Sequence, residues 1–270
     1  FMLHGQKLLN DRLDYAVTVY GGVRDGDQDT DRNKEMSARI AVRPFKQTES
    51  ESLLDGLQLG VGGTVGNDSG VLSPTTYRTP ANVPWFRYAE GVRPDGLRWR
   101  VSPEFVYLYG PFSLTAQYHH ESRQMRPAPD NRLGAPQTEL TAKGFFVMAT
   151  LLLTGEKRTS MSQTIDPLHS FNPREGVFGV GAWELVARVS HLEFGSDDPT
   201  NFARLLNKEF TSRQATEITA GFNWYLNKFV RFQFNWEYAR FGEAVRLGIP
   251  GPNGRLDHQN SFVTRFQLVF

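Results

Sequence analysis

Arg39, Arg43, Arg98, Arg100, Arg188, Arg231 and Arg265 stand where polar and apolar residues alternate. A guanidinium is charged at every physiological pH. It presents five donors in a planar fork, which suits it to hold phosphate or other oxyanions. The carboxylates Asp14, Glu104, Glu121, Glu184, Glu217 and Glu237 fall in the same alternating sets. Two kinds of chemistry are open. The arginines could guide anions along a wet channel through several weak contacts. Or they could pair with carboxylates across strands and only tie a wall together.

Covalent chemistry has no comparable footing. The sequence has 0 cysteines, which removes thiol catalysis, disulfides and thiolate-held metals. There is no H-E-x-x-H, no G-x-S-x-G and no phosphate-cradling glycine motif. His119 and His120 are adjacent, so a strand would point them to opposite faces, and His4 and His191 have no spaced partners. The acidic run Asp25-Gly26-Asp27-Gln28-Asp29-Thr30-Asp31 lacks the full spacing of an EF-hand, and an exposed hairpin loop is its simpler reading. No enzyme activity, metal or cofactor is expected. A net charge of +1, from 30 basic and 29 acidic residues, gives no sign of a nucleic-acid partner.

The elements that must carry these arginines are strands. Between Phe229 and Phe241, Val230, Phe232, Phe234, Trp236 and Tyr238 alternate with Arg231, Gln233, Asn235, Glu237 and Ala239. A helix would scatter these residues, whereas a strand sorts them onto two faces. Similar alternation recurs along the chain. It sets Trp99, Tyr107 and Tyr109 against Arg98, Arg100 and Glu104, and Trp183 against Glu184 and Arg188. Trp224 opposes Glu217 in the same way. Only 138–153 reads apolar on both faces.

No run of eighteen apolar residues exists, so no transmembrane helix is expected. A β-barrel passes that test, because only alternate residues meet lipid. A soluble sandwich would also alternate. Two features favour a membrane barrel. Trp99, Tyr107, Tyr109, Trp183, Trp224, Trp236 and Tyr238 fall on the apolar faces, as lipid-facing or girdle residues would. The opposite faces carry charge in mid-strand, which makes Arg39, Arg43, Arg98, Arg100, Arg188, Arg231, Arg265, Glu104, Glu184, Glu217 and Glu237 pore-lining candidates.

The connections largely alternate between short and long, as in barrels with tight periplasmic turns and long extracellular loops. Segments 22–34, 67–96, 122–139, 195–212 and 242–260 are the expected extracellular loops. Segment 155–179 breaks the rule and is expected as a long periplasmic or lumenal excursion, with a missed pair of short strands as one explanation. Segment 67–96 is the longest loop, and its Trp85-Phe86 pair is a candidate plug anchor or trimer contact, against the simpler reading of a loose surface loop. The whole of 1–270 reads as one partial all-β, antiparallel transmembrane meander of about 11 strands. Strand parity places the C-terminus in the periplasm and calls for at least one further strand before Phe1, together with a signal peptide.

The strings Gly181-Ala182-Trp183-Glu184-Leu185-Val186-Ala187-Arg188-Val189-Ser190 and Gly221-Phe222-Asn223-Trp224-Tyr225-Leu226-Asn227 resemble the phosphate-selective porin O and P family. The ending Arg265-Phe266-Gln267-Leu268-Val269-Phe270 is similar to that family's last strand. Gly110-Pro111-Phe112-Ser113-Leu114 and Leu152-Leu153-Thr154-Gly155-Glu156 resemble its middle. The resemblance implies an outer-membrane porin, a homotrimer with barrels of about 16 strands, of which this chain holds the C-terminal two-thirds. It implies passive diffusion of small anionic or neutral solutes, phosphate among them, and contact with outer-membrane lipid. It also makes Phe270 the aromatic signal read by the outer-membrane insertion machinery. The family's lumenal lysine cluster has no matching motif here. The alternative function is a barrel subunit with a structural or assembly role, its pore plugged by a partner chain.

Overall fold

The computed structural model describes residues 1–21, 33–47, 52–127, 136–246 and 254–269. The acidic run at 25–31 and the terminal Phe270 lie outside the described residues. In chain order the strands are β1 (Met2–Lys7), β2 (Leu13–Tyr20), β3 (Glu35–Val42), β4 (Leu57–Asp68), β5 (Thr76–Arg78), β6 (Pro84–Arg87), β7 (Arg93–Tyr109) and β8 (Phe112–Arg126). They continue as β9 (Thr138–Leu152), β10 (Phe171–Asn172), β11 (Val177–Phe178), β12 (Ala182–Gly195), β13 (Gln214–Asn227), β14 (Val230–Arg246) and β15 (Arg255–Leu268).

Eleven of them form one antiparallel sheet in the order β1-β2-β3-β4-β7-β8-β9-β12-β13-β14-β15, so each wall strand pairs with its sequence neighbours in the wall. The sheet is open, with β1 and β15 at its edges. The remaining strands form two hairpins, β5–β6 and β10–β11, that do not join the wall. At one end two-residue turns join β7 to β8 and β13 to β14. Gly110 makes one of them at φ +58°, a conformation that glycine adopts without a side-chain clash.

Several expected boundaries shift. Strands β8 and β14 run on to Arg126 and Arg246, while β9 and β15 begin at Thr138 and Arg255. The loops expected at 122–139 and 242–260 are therefore shorter. Segment 67–96 is not one irregular loop, because β4 extends to Asp68, β7 starts at Arg93, and β5–β6 lies between. Segment 195–212 contains the short helix Pro199–Leu205. Asp198 caps it by accepting from the Asn201 backbone N–H at 3.0 Å, and that bond holds the Asp198 carboxyl below its ordinary pKa. Segment 155–179 does hold a pair of short strands, β10 and β11, but they pair with each other.

The main apolar cluster lies on the wall rather than within a sandwich. Leu72, Trp85, Phe86, Tyr88 and Val92 from the 69–92 segment pack with Phe202 and Leu205 of the helix against Met125, Leu140, Ala142, Phe194, Ala239 and Phe241. This settles the strand that read apolar on both faces. Leu140 and Ala142 of β9 lie under the segment, while Phe145, Val147 and Leu151 stand exposed on the other face. In the β5–β6 hairpin, Tyr77 meets Phe194 of β12 at 5.0 Å, and two residues on, Thr79 bonds Gln259 of β15 at 3.0 Å. A segment that leaves the sheet between β4 and β7 touches its far edge only if the sheet curls around it.

Candidate functional site

The ladder registers sort the side chains. Arg39 lies opposite Gly62, then Ser102; Arg100 lies opposite Thr64 and Glu121; Arg188 lies opposite Thr219, which faces Glu237. Followed across the sheet, these rows put Arg39, Arg43, Arg98, Arg100, Glu104, Glu184, Arg188, Glu217, Arg231, Glu237 and Arg265 on one face. The 69–92 segment packs on that face, so it is the concave one. Trp99, Tyr107, Tyr109, Trp183, Trp224, Trp236 and Tyr238 lie on the opposite, convex face. There Trp183 stacks on Trp224 at 5.1 Å, and Trp224 on Phe232 at 5.9 Å. Trp183 and Trp224 both donate to the Val180 carbonyl, at 3.3 and 2.9 Å. Trp99 stacks on His120 at 4.9 Å, while His119 points to the concave side.

The concave charges divide into two populations. From β2 to β8, and around Glu184 of β12, they neutralise one another. Glu35, 2% exposed, accepts from the Tyr20 hydroxyl at 2.9 Å and from Arg98 and Arg100. Arg98 also reaches Asp68 at 3.0 Å, and Arg123 bonds the same carboxylate. Arg43 bridges Asp14 at 2.8 Å and Asp11 at 3.0 Å, and Arg39 pairs with Glu104. Glu184, also 2% exposed, takes Arg158 at 2.7 Å, Asn223 at 2.8 Å and the Tyr225 hydroxyl at 2.7 Å. Through Arg158 this network ties the 155–181 excursion to the wall's concave face.

Arg188, Arg231 and Arg265 differ. Among the described residues none of them is paired with a carboxylate. Arg188 lies 5.1 Å over the Phe146 ring, and Arg231 bonds Gln267 and lies 5.4 Å over Tyr225. Glu35, Asp68, Arg123 and Arg158 were not among the candidates from sequence. The first three continue the period-two sets of their strands. They sit at strand ends, where alternation passes into loop composition.

Tyr77 and Tyr88, in the segment on the concave face, have hydroxyls whose pKa burial pushes up, well above the ordinary value for Tyr88. They stay protonated at physiological pH and add no charge to the concave side.

A one-layer antiparallel wall, aromatic on its convex face and charged on its concave face, is the wall of a transmembrane β-barrel. The profile of the phosphate-selective porin O and P family matches residues 15–270, and the chain belongs to that family. Its fold is similar to OmpT, an in-vitro folded outer-membrane protein of Vibrio cholerae in its trimer form: TM-score 0.50, 8% identity, 99% of this chain and 63% of that one. Outer-membrane expressed OmpT of Vibrio cholerae aligns at TM-score 0.44 and 9% identity over 94% of this chain and 58% of that one. The ferric yersiniabactin uptake receptor FyuA from Yersinia pestis aligns at TM-score 0.32 and 12% identity, over 98% of this chain and 40% of that one. This chain thus spans less than two thirds of each of these proteins, and the likeness is one of fold. No curated protein sequence matches it.

Proposed function

We propose that the complete barrel is an outer-membrane porin through which small hydrophilic solutes diffuse, anions preferentially. The observation that carries this reading is the split among the concave charges. Arginines on the early strands are neutralised, whereas Arg188, Arg265 and Arg231 are not. Register rows set these three at successive depths. Arg265 lies opposite Gln233, in the row of Glu184, four residues along β12 from Arg188; Arg231 lies two residues further on. At a strand rise near 3.3 Å the steps are roughly 13 and 7 Å. Such spacing offers an anion several weak stations rather than one tight site, which conduction requires. Inorganic phosphate is among the anions proposed.

In this reading the end with tight turns, and with it the C-terminus, faces the periplasm, and the 69–92 segment narrows the lumen. Phe270 serves the insertion machinery. A homotrimer is the assembly proposed, in keeping with the trimer form of the Vibrio neighbour.

The test is planar-bilayer conductance of the full-length protein in a KCl gradient. The reversal potential is expected to show chloride preferred over potassium. Arg231→Glu with Arg265→Glu is expected to lower that preference by roughly a few-fold, since lumenal charges act over about 8 Å at physiological salt. Absence of any ion current would favour a structural subunit with a plugged pore.

The convex face gives a second test. Trp99, Trp183, Trp224 and Trp236 lie on it, while Trp85, within the 69–92 segment, is buried against the concave face at 4% exposure. In vesicles of lipids with brominated acyl chains, most of the tryptophan emission is expected to be quenched, and the Trp85 fraction spared. Emission indifferent to bromination would place the convex face outside the bilayer.

A further inference from the structure

Between the β5–β6 hairpin and the concave face lies a cleft of about 340 Å³. Its floor follows one register row, Gln117, Phe146, Ser190, Glu217 and Ala239, crossing from β8 to β14. The room exists because Ser190, Ala215 and Ala239 are small. Tyr77 and Arg78 line it from the hairpin side.

Around this cleft, among the described residues, Arg188, Glu217 and Glu237 make no ion pair, whereas Arg98, Arg123 and Arg158 each close on a carboxylate. The guanidinium of Arg188 enters from the neighbouring row, with Nε buried and without a hydrogen-bond partner among the described residues. On the adjacent strand, the Glu217 carboxylate has one hydrogen bond to a described residue, from the Thr219 hydroxyl at 3.3 Å. Diagonal to it, Glu237 is 6% exposed; the Ser261 hydroxyl bonds its carboxylate, while its Oε2 is buried with no partner among the described residues. A buried charge without a partner is costly, and on the early strands such charges close on one another. Here opposite charges stand on neighbouring strands and leave donor and acceptor capacity open beside a cleft with aromatic sides.

We infer that this cleft is a transit subsite for small zwitterionic solutes with an apolar body, of the amino-acid type. A carboxylate meets Arg188, with Arg78 opposite. An ammonium meets Glu217, with Glu237 behind it. The apolar body lies between Tyr77 and Phe146. A solute with only negative charge faces two carboxylates here, and one with only positive charge faces two arginines. The cleft therefore holds the zwitterion more tightly than either singly charged analogue, and for an anion Arg188 is only a weak station. The inference deepens the porin reading, and it rests on that reading for passage of the solute.

The test is calorimetric titration of the folded full-length protein in detergent with phenylalanine, 3-phenylpropionate and phenethylamine at neutral pH. Phenylalanine is expected to bind roughly tenfold more tightly than either singly charged analogue. Glu217→Gln is expected to reduce phenylalanine to the level of phenylpropionate, and Arg188→Gln to that of phenethylamine. Phenylpropionate binding as tightly as phenylalanine overturns the proposal. So does undiminished phenylalanine binding in Glu217→Gln. The three-ligand comparison on the unmodified protein stands even where a variant does not fold. Binding is read without current, so the two readings fail separately. A protein that binds phenylalanine but carries no current loses the porin role and keeps the subsite. One that conducts yet prefers phenylpropionate loses the subsite alone.

Discussion

Phe86→Ala is expected to release the 69–92 segment from the barrel wall and raise the single-channel conductance of the full-length protein. Phe86 is fully buried and stacks on Phe194 at 3.9 Å, with Trp85 and Tyr88 against its edges. Truncating a buried phenylalanine to alanine costs about 3–5 kcal/mol, the lost burial plus the cavity left behind. Among side chains, the Thr79–Gln259 bond and the Thr211 hydroxyl on the Arg87 backbone remain. The segment's backbone is held by a few bonds, from Ser212 N to Trp85 O at 2.7 Å, Ala89 N to Leu205 O at 2.8 Å and Asn207 N to Arg87 O at 3.0 Å. These depend on the same aromatic packing to exclude water. The wall strands keep their own ladders, so the barrel should survive while the segment frees. Two measurements check this. Conductance should rise, and trypsin should gain access to Arg78 and Arg87. A variant as resistant to trypsin and as conductive as the parent would show that the segment is held by something other than Phe86.

Glu35→Gln is expected to cost the folded barrel about 3–5 kcal/mol, as removing one partner of a buried ion network does. Glu35 is the acceptor on which Tyr20, Arg98 and Arg100 converge, and its side chain is 3% exposed. Without its charge Arg98 keeps Asp68, but among the described residues Arg100 keeps only neutral acceptors, the Thr64 hydroxyl at 2.8 Å and the amide oxygen introduced at position 35. Adding Arg100→Gln should recover part of the loss, because the second change removes the stranded cation. The urea midpoint of the folded, detergent-solubilised barrel reads both steps. A double variant no more stable than Glu35→Gln would show that the network is not coupled as drawn. In bilayers the single variant should also increase anion preference, since it uncovers a cation on the concave face.

Strand parity made the fold legible, and the reason is physical. Each wall strand separates lipid from water with alternate residues, so Arg188 and Trp183 declare opposite faces without reference to any other strand. The same logic fails where the concave face is not wet. Leu140 and Ala142 on β9, with Ala239 and Phe241 on β14, look toward the packed 69–92 segment. Alternation vanishes there, and the orientation of β9 and the true end of β14 became unreadable. The β5–β6 hairpin and the 199–205 helix were hidden for a related cause, being short and stabilised by burial on the wall rather than by their own periodicity. Which arginines are neutralised was also beyond the sequence. Arg98 and Arg188 both stand on the polar face of an alternating strand. Only the cross-strand neighbours, Glu35 and Asp68 in one case and Phe146 in the other, tell them apart.

The bond between Thr79 and Gln259 joins residues 180 positions apart. Contacts so distant in sequence form late, because the loop they close must first lose its entropy. The 69–92 segment cannot seat until β12 to β15 stand in register, since Phe194, Leu205, Ala239 and Gln259 are its seat. Until then its aromatic residues lack that partner. Assembly of this wall therefore has a terminal step, in which a late-docking segment reports that the strands behind it have been laid in order.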